Sequence, residues 1–141
     1  MHILIVVSPY YQTITDGMLQ GALAELDKEG ATHERIDVPG AFEIPAAIAM
    51  ADQTGKYDGY IALGCVIRGE TTHYDYICGE SARGLQELAL RDMLPIGNGI
   101  LTVENKSQAD VRADMTRKNK GGEAAHACIE MIKLKAHFAN E

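Results

Sequence analysis

Four short apolar runs, each followed by a stretch whose apolar residues recur at helical spacing, leave this chain few folds to adopt. The first run, residues 3–7, precedes residues 15–28, where Met18, Leu19, Ala22, Leu23 and Leu26 share one helical face and Gly30 supplies the stop. A second strand at 34–38 turns at Pro39-Gly40 into an alanine-rich helix over 42–53. The third strand, 59–65, leads through a polar loop into a helix over 73–91. The fourth, 95–103, leads into a helix over 106–117, and after Asn119-Lys120-Gly121-Gly122 a last helix covers 123–139. Strands that are each followed by a helix predict an α/β fold, with a parallel sheet covered on both faces.

Right-handed crossovers arrange four such units as a three-layer α/β/α sandwich on a flavodoxin-like four-stranded parallel sheet, order 2-1-3-4. A chain of 141 residues is one domain of this kind, spanning 1–141. No stretch approaches the ~18 consecutive apolar residues of a membrane span. The first residues lack a basic region ahead of their β-branched run, so they read as a strand rather than a leader, and a cytoplasmic location is expected. A net charge of -7 disfavours nucleic acid, whose phosphates need a basic face. Cys65, Cys78 and Cys128 are widely spaced with no CxxC pair, which argues for small buried residues and against a disulfide framework or a zinc site.

Sheets of this type bind ligands at the carboxyl ends of their strands, which directs attention to the loops at 8–11, 39–43, 66–72 and 104–105. The third is the densest in polar groups, with Arg68, Glu70, Thr71, Thr72, His73 and Asp75 following Gly64-Cys65. Thr72 and Asp75 fit a capping box. Beyond that, a glycine and threonines ahead of a helix N-terminus make an anion site from free amides and the helix dipole, and His73 in the first turn is placed to exchange protons. His2, His33, His126 and His137 read as solvated or packed residues. Glu43 in the Pro39-Gly40 turn either belongs to a plain strand-to-helix turn or binds a polyol or heterocycle, and Tyr10 or Tyr11 either packs or stacks on a planar ligand. Arg112, Arg117, Lys118 and Lys120 form the one dense basic cluster; it is a solvated helix end, or Arg112 or Lys120 grips a phosphate. Gly97-Asn98-Gly99 lacks the dinucleotide spacing, and no Walker motif occurs. A receiver domain is excluded, because Ser8-Pro9-Tyr10 and Gly64-Cys65 supply none of its acidic residues.

Taken together, "VPGAFEIP", "GCVIRGETTHYDYI", "GILTVEN" and "NKG" resemble the lumazine synthase family of riboflavin biosynthesis, in its order and spacing over nearly the whole chain. The resemblance implies that 5-amino-6-(D-ribitylamino)uracil condenses with 3,4-dihydroxy-2-butanone 4-phosphate, without cofactor or metal. It assigns Tyr10 to stacking on the pyrimidine, Ala41, Phe42 and Glu43 to the ribityl chain and ring, and Cys65, Val66 and Ile67 to the pyrimidine side. Gly69, Glu70, Thr71 and Arg112 would hold the phosphate, with the amide of Glu70 rather than its carboxylate facing the anion; His73 would move protons. Lys120 would lie near the ring and ribityl chain, and Asn98 stands where many members place a ring-covering aromatic residue. The family also implies a homopentamer with sites between adjacent subunits, in which Asn98, Arg112 and Lys120 come from the neighbour. Some members pack further into a shell of sixty, with riboflavin synthase as an associated enzyme. A paralogue retained as a flavin-binding or scaffold shell with low turnover is the competing expectation.

Overall fold

The computed structural model describes residues 1–140. Strands β1 (His2–Val7), β2 (Thr32–Asp37), β3 (Gly59–Ile67) and β4 (Ile96–Val103) form one sheet in the order β2-β1-β3-β4, and every pairing is parallel. This is the expected fold class and order. Alternation along each strand divides two cores. Ile3, Ile5 and Val7 of β1 pack with Ile61, Leu63 and Cys65 of β3 under α1 (Gln12–Glu29), α4 (Lys106–Ala113) and α5 (Lys120–Ala139). Leu4 and Val6 pack with Tyr60 and Ala62 under α2 (Ile44–Asp52) and α3 (His73–Arg91). Both faces of β1 are thus covered, as a central parallel strand requires.

Register creates the step on which the site is built. β1 pairs with β3 from Ile3 opposite Gly59 to Val7 opposite Leu63, after which the Ser8 amide donates to the Leu63 carbonyl at 2.9 Å and the chain leaves the sheet. β3 runs on, with β4 as its sole partner, until Ile67 faces Val103. Its last turns of pleat overhang the end of β1 and leave a recess above Ser8. The strand therefore extends past Cys65, where the sequence placed its end, through two more β-branched residues whose pairing with β4 continues.

Several helix boundaries differ from expectation for local reasons. α1 begins at Gln12 rather than residue 15, because the Thr15 hydroxyl donates back to the Tyr11 and Gln12 carbonyls (3.3 and 3.2 Å) inside the first turn instead of capping it. Residues Ala41–Glu43 form a 3-10 turn before α2, whose first turn holds Pro45. α4 stops at Ala113 instead of residue 117: the Asp114 carboxylate accepts from both the amide and the hydroxyl of Thr116 (2.8 and 2.7 Å), a local turn that outcompetes the helix and lowers the carboxyl's pKa. α5 starts at Lys120, not residue 123. Asn119, in the left-handed region at φ 47°, caps it by accepting from the Gly122 amide at 3.2 Å. Gly121 and Gly122, which the sequence sets ahead of the last helix, form the first turn of α5, where a side chain on Gly121 would overlap the Met18 carbonyl of α1.

Candidate active site

A cleft of about 540 Å³ opens over the recess at the ends of β1 and β3. Ser8, Tyr10 and Tyr11 enter from the β1–α1 connection, Gly40, Ala41, Phe42 and Glu43 from the turn before α2, Cys65, Val66 and Ile67 from the overhang of β3, and His73 and Ile77 from α3. Two large aromatic side chains stand at its rim, Tyr10 at 78% and Phe42 at 54% exposure. Hydrophobic side chains left this open beside a recess offer faces to a planar ligand, and the edge-on contact of Tyr11 with Tyr10 (centroids 4.9 Å apart) holds one of them in orientation. Glu43 is the one carboxylate among the lining residues, and none of them is a lysine or arginine. The Cys65 thiol on the floor is pushed up to about 11, first by burial and then by the negative charge of Asp110, so it stays protonated and is not a nucleophile.

His73 occupies the first position of α3, and its amide donates to the Thr71 hydroxyl at 3.3 Å. This corrects the capping box: Thr72 makes no side-chain cap, and the Asp75 carboxylate accepts from the Arg68 guanidinium at 3.3 Å. Gly69, Glu70 and Thr71 are exposed, in the connection that runs from the floor of the cleft to His73. The segment is adjacent to the cleft without lining it.

Asn98, Arg112 and Lys120 lie elsewhere. They line a second cleft of about 330 Å³ along the free edge of β4, bounded by α4 and α5. Here Arg112 donates to the Gln108 carbonyl of its own helix (3.1 Å), and Lys120 pairs with Glu123 at 2.8 Å. Asn98 accepts from the Ile100 amide at 3.0 Å, folding its side chain along β4. The structure thus brings Tyr10, Ala41, Phe42, Glu43, Cys65, Val66, Ile67 and His73 into one cleft and Asn98, Arg112 and Lys120 into another. Sequence reasoning placed Ser8 and Arg68 in candidate loops without assigning them a role, and passed over Ile77 and Glu123. The last is signalled by its spacing of three from Lys120 at a helix start, whereas Arg68 had no local signal because its partner Glu104 is remote in sequence. Among the described residues no group of three His, Cys, Asp or Glu is placed to hold a metal ion, and no helix is long and apolar enough to cross a membrane.

The parallel sheet of order 2-1-3-4, with a cleft at its carboxyl edge and a histidine at a helix N-terminus beside it, defines a flavodoxin-like α/β protein with a ligand crevice at the carboxyl ends of its strands. Comparison with known proteins sharpens this. The chain belongs to the 6,7-dimethyl-8-ribityllumazine synthase family, whose sequence pattern it matches over residues 1–136. It is 56% identical over 137 residues to the 6,7-dimethyl-8-ribityllumazine synthase of Sphingopyxis alaskensis, covering 97% of this chain and 96% of that one. Against the protein of the same name from Bartonella tribocorum the identity is 53% over 140 residues, covering 99% and 93%. The relative from Rhizobium meliloti called 6,7-dimethyl-8-ribityllumazine synthase 1 is 53% identical over 146 aligned positions, covering all of this chain and 95% of its own.

Proposed function

We propose that this chain is a 6,7-dimethyl-8-ribityllumazine synthase: it condenses 5-amino-6-(D-ribitylamino)uracil with 3,4-dihydroxy-2-butanone 4-phosphate, releasing phosphate and water, in the penultimate step of riboflavin biosynthesis. The observation that carries the reading is the convergence of Tyr10, Phe42, Glu43, Val66, Ile67 and His73 on one cleft in a chain of this family. Tyr10 or Phe42 covers the pyrimidine, the backbone of Cys65, Val66 and Ile67 meets its polar edge, and Ala41, Phe42 and Glu43 hold the ribityl chain. Imine formation, phosphate elimination and ring closure demand proton transfers more than a nucleophile, and His73 supplies them from the mouth of the cleft. Holding the two substrates together contributes much of the remaining rate.

The phosphate binds the amides of Gly69, Glu70 and Thr71, and its charge is met by Arg112 of an adjacent copy, together with Lys120 and Asn98 from the same neighbour. Support for a shared site comes from charge: the cleft holding His73 contains no lysine or arginine, while the cleft at the edge of β4 holds both and no histidine. A homopentamer is the assembly proposed, whether or not it packs further into a shell of sixty enclosing riboflavin synthase, and the location is cytoplasmic. The test is an assay of purified protein with both substrates, following lumazine absorbance and phosphate release. Product formed no faster than the spontaneous reaction, alongside tight riboflavin binding, refutes the enzyme in favour of a flavin-binding shell.

A further inference from the structure

The connection bearing Gly69, Glu70 and Thr71 is open along its length. A Cβ on Gly69 would meet nothing within 4 Å, and Gly69 to Thr72 are all exposed. What closes it is a single side chain at its neck. The Arg68 amide donates to the Val103 carbonyl at 3.0 Å, the last rung between β3 and β4, so Arg68 is where the chain leaves the sheet. Its guanidinium then reaches across the base of the connection to the first turn of α3, donating to Asp75 Oδ1 at 3.3 Å and lying over the Tyr74 ring with Cζ 4.3 Å from the centroid. The same group donates through Nε to Glu104 Oε2 at 2.7 Å, on the connection between β4 and α4.

From Glu104 the contacts continue. Its amide donates to Gln108 Oε1 at 2.8 Å, Gln108 donates its own amide to the Asn105 cap at 2.9 Å, and the Gln108 carbonyl accepts from Arg112 at 3.1 Å. We infer that Arg68 is a positioning residue: one guanidinium pins both ends of the anion-binding connection and links the His73 corner to the helix that carries Arg112. The inference rests on the function proposed above.

A direct hold on the phosphate is the rival use of such a cation. Arg68 is committed instead to two carboxylates and an aromatic face, so the group as a whole carries a net negative charge that does not attract an anion. Isolated surface ion pairs contribute little. A planar fork that serves two carboxylates and stacks on a ring is a geometric device, and lysine cannot reproduce it.

The two uses give opposite signs when the carboxylates are removed. If Arg68 positions, Arg68→Ala, Arg68→Lys, Asp75→Ala and Glu104→Ala all lower kcat, the arginine variants by about tenfold to a hundredfold, the scale on which small misplacements act. Inorganic phosphate then inhibits all four variants no more strongly than wild type. If Arg68 binds phosphate, Asp75→Ala and Glu104→Ala free the guanidinium and strengthen inhibition by phosphate, and Arg68→Ala raises KM for the phosphorylated substrate at unchanged kcat; either outcome overturns the inference, as does wild-type kcat in Arg68→Lys. Hydrogen exchange provides a readout that does not need turnover: the hydrogen-bonded amides of His73, Asp75 and Tyr76 should exchange at least about tenfold faster in Arg68→Ala while those of α5 keep their rates. Unchanged exchange at these three amides refutes the positioning role. A wild-type protein that fails to make product refutes the proposed activity instead.

Discussion

Subunit complementation tests the division of the site between two copies. His73 and Arg112 lie in different clefts of one chain, so a chain carrying His73→Ala still offers an intact β4 edge, and one carrying Arg112→Ala still offers an intact histidine cleft. Each variant alone should be nearly inactive. Losing an acid–base group costs roughly a hundredfold or more, and losing a charge-assisted grip on phosphate costs about 1.5–3 kcal/mol, or roughly tenfold to more than a hundredfold at low substrate. Suppose the two variants are refolded together in equal amounts and mix at random. A site regains both functional halves when its histidine cleft comes from the Arg112→Ala chain and its basic cleft from the His73→Ala chain, each with a chance of about one half, so about one quarter of the sites recover. The fraction is the same for a dimer or a ring, so the experiment reads sharing itself and not symmetry. Differently tagged chains, native mass spectrometry to confirm mixing, and the lumazine absorbance assay complete it. A confirmed mixture that shows only the mean of the two parent activities places the whole site within one chain and refutes the reasoning.

His73→Gln should lower kcat by about a hundredfold, roughly 3 kcal/mol of barrier, with KM for both substrates nearly unchanged; a collapse of affinity would show that the ring binds rather than transfers protons. The Cys65 thiol, held up at about 11 by burial, should resist iodoacetamide at pH 8 in the folded protein and react rapidly once unfolded. Because this folded value lies above the unfolded one, the stability the group contributes is complete below the ordinary thiol range and is lost as pH rises toward 11, so Cys65→Ala should flatten the alkaline decline of the urea midpoint. If Asn98 covers the pyrimidine from a neighbour, Asn98→Phe adds a stacking contact of about 0.5–1.5 kcal/mol and lowers KM for the ribityl substrate by roughly two- to tenfold; an unchanged KM places that ring elsewhere.

The strands, their order and the four loops were legible in the sequence because each rests on local periodicity and the handedness of crossovers. What was not legible depends on contacts made at a distance. Nothing around Asn119-Lys120-Gly121-Gly122 distinguishes a linker from a helix start; the packing of Gly121 on the Met18 carbonyl decides it. Thr72 reads as the cap because Asp75 follows three residues later, yet it is the Thr71 hydroxyl that accepts from the His73 amide, and Asp75 is drawn away to Arg68. The Arg68 pairing with Glu104 depends on β3 and β4 being neighbours, a fact of the sheet and not of either segment. Most of the cleft-lining residues stand in the quoted motifs, and the resemblance already set Asn98, Arg112 and Lys120 apart as a neighbour's; the fold shows the two groups in different clefts of one chain.

That separation follows from the strand order. A ligand crevice forms where neighbouring crossovers diverge, here above β1 and β3, and the turn before α2 and the start of α3 close over it. β4 is the last strand, and Arg112 and Lys120 line the cleft along its free edge, apart from the cleft that holds His73. Under the sharing proposed above, a second chain whose crevice abuts that edge would bring these cations to the phosphate held by Gly69, Glu70 and Thr71, and the same contact would cover the otherwise unpaired side of β4. If the site is shared as proposed, association completes it, and the Arg68–Glu104–Gln108–Arg112 series of contacts joins the two clefts within each chain.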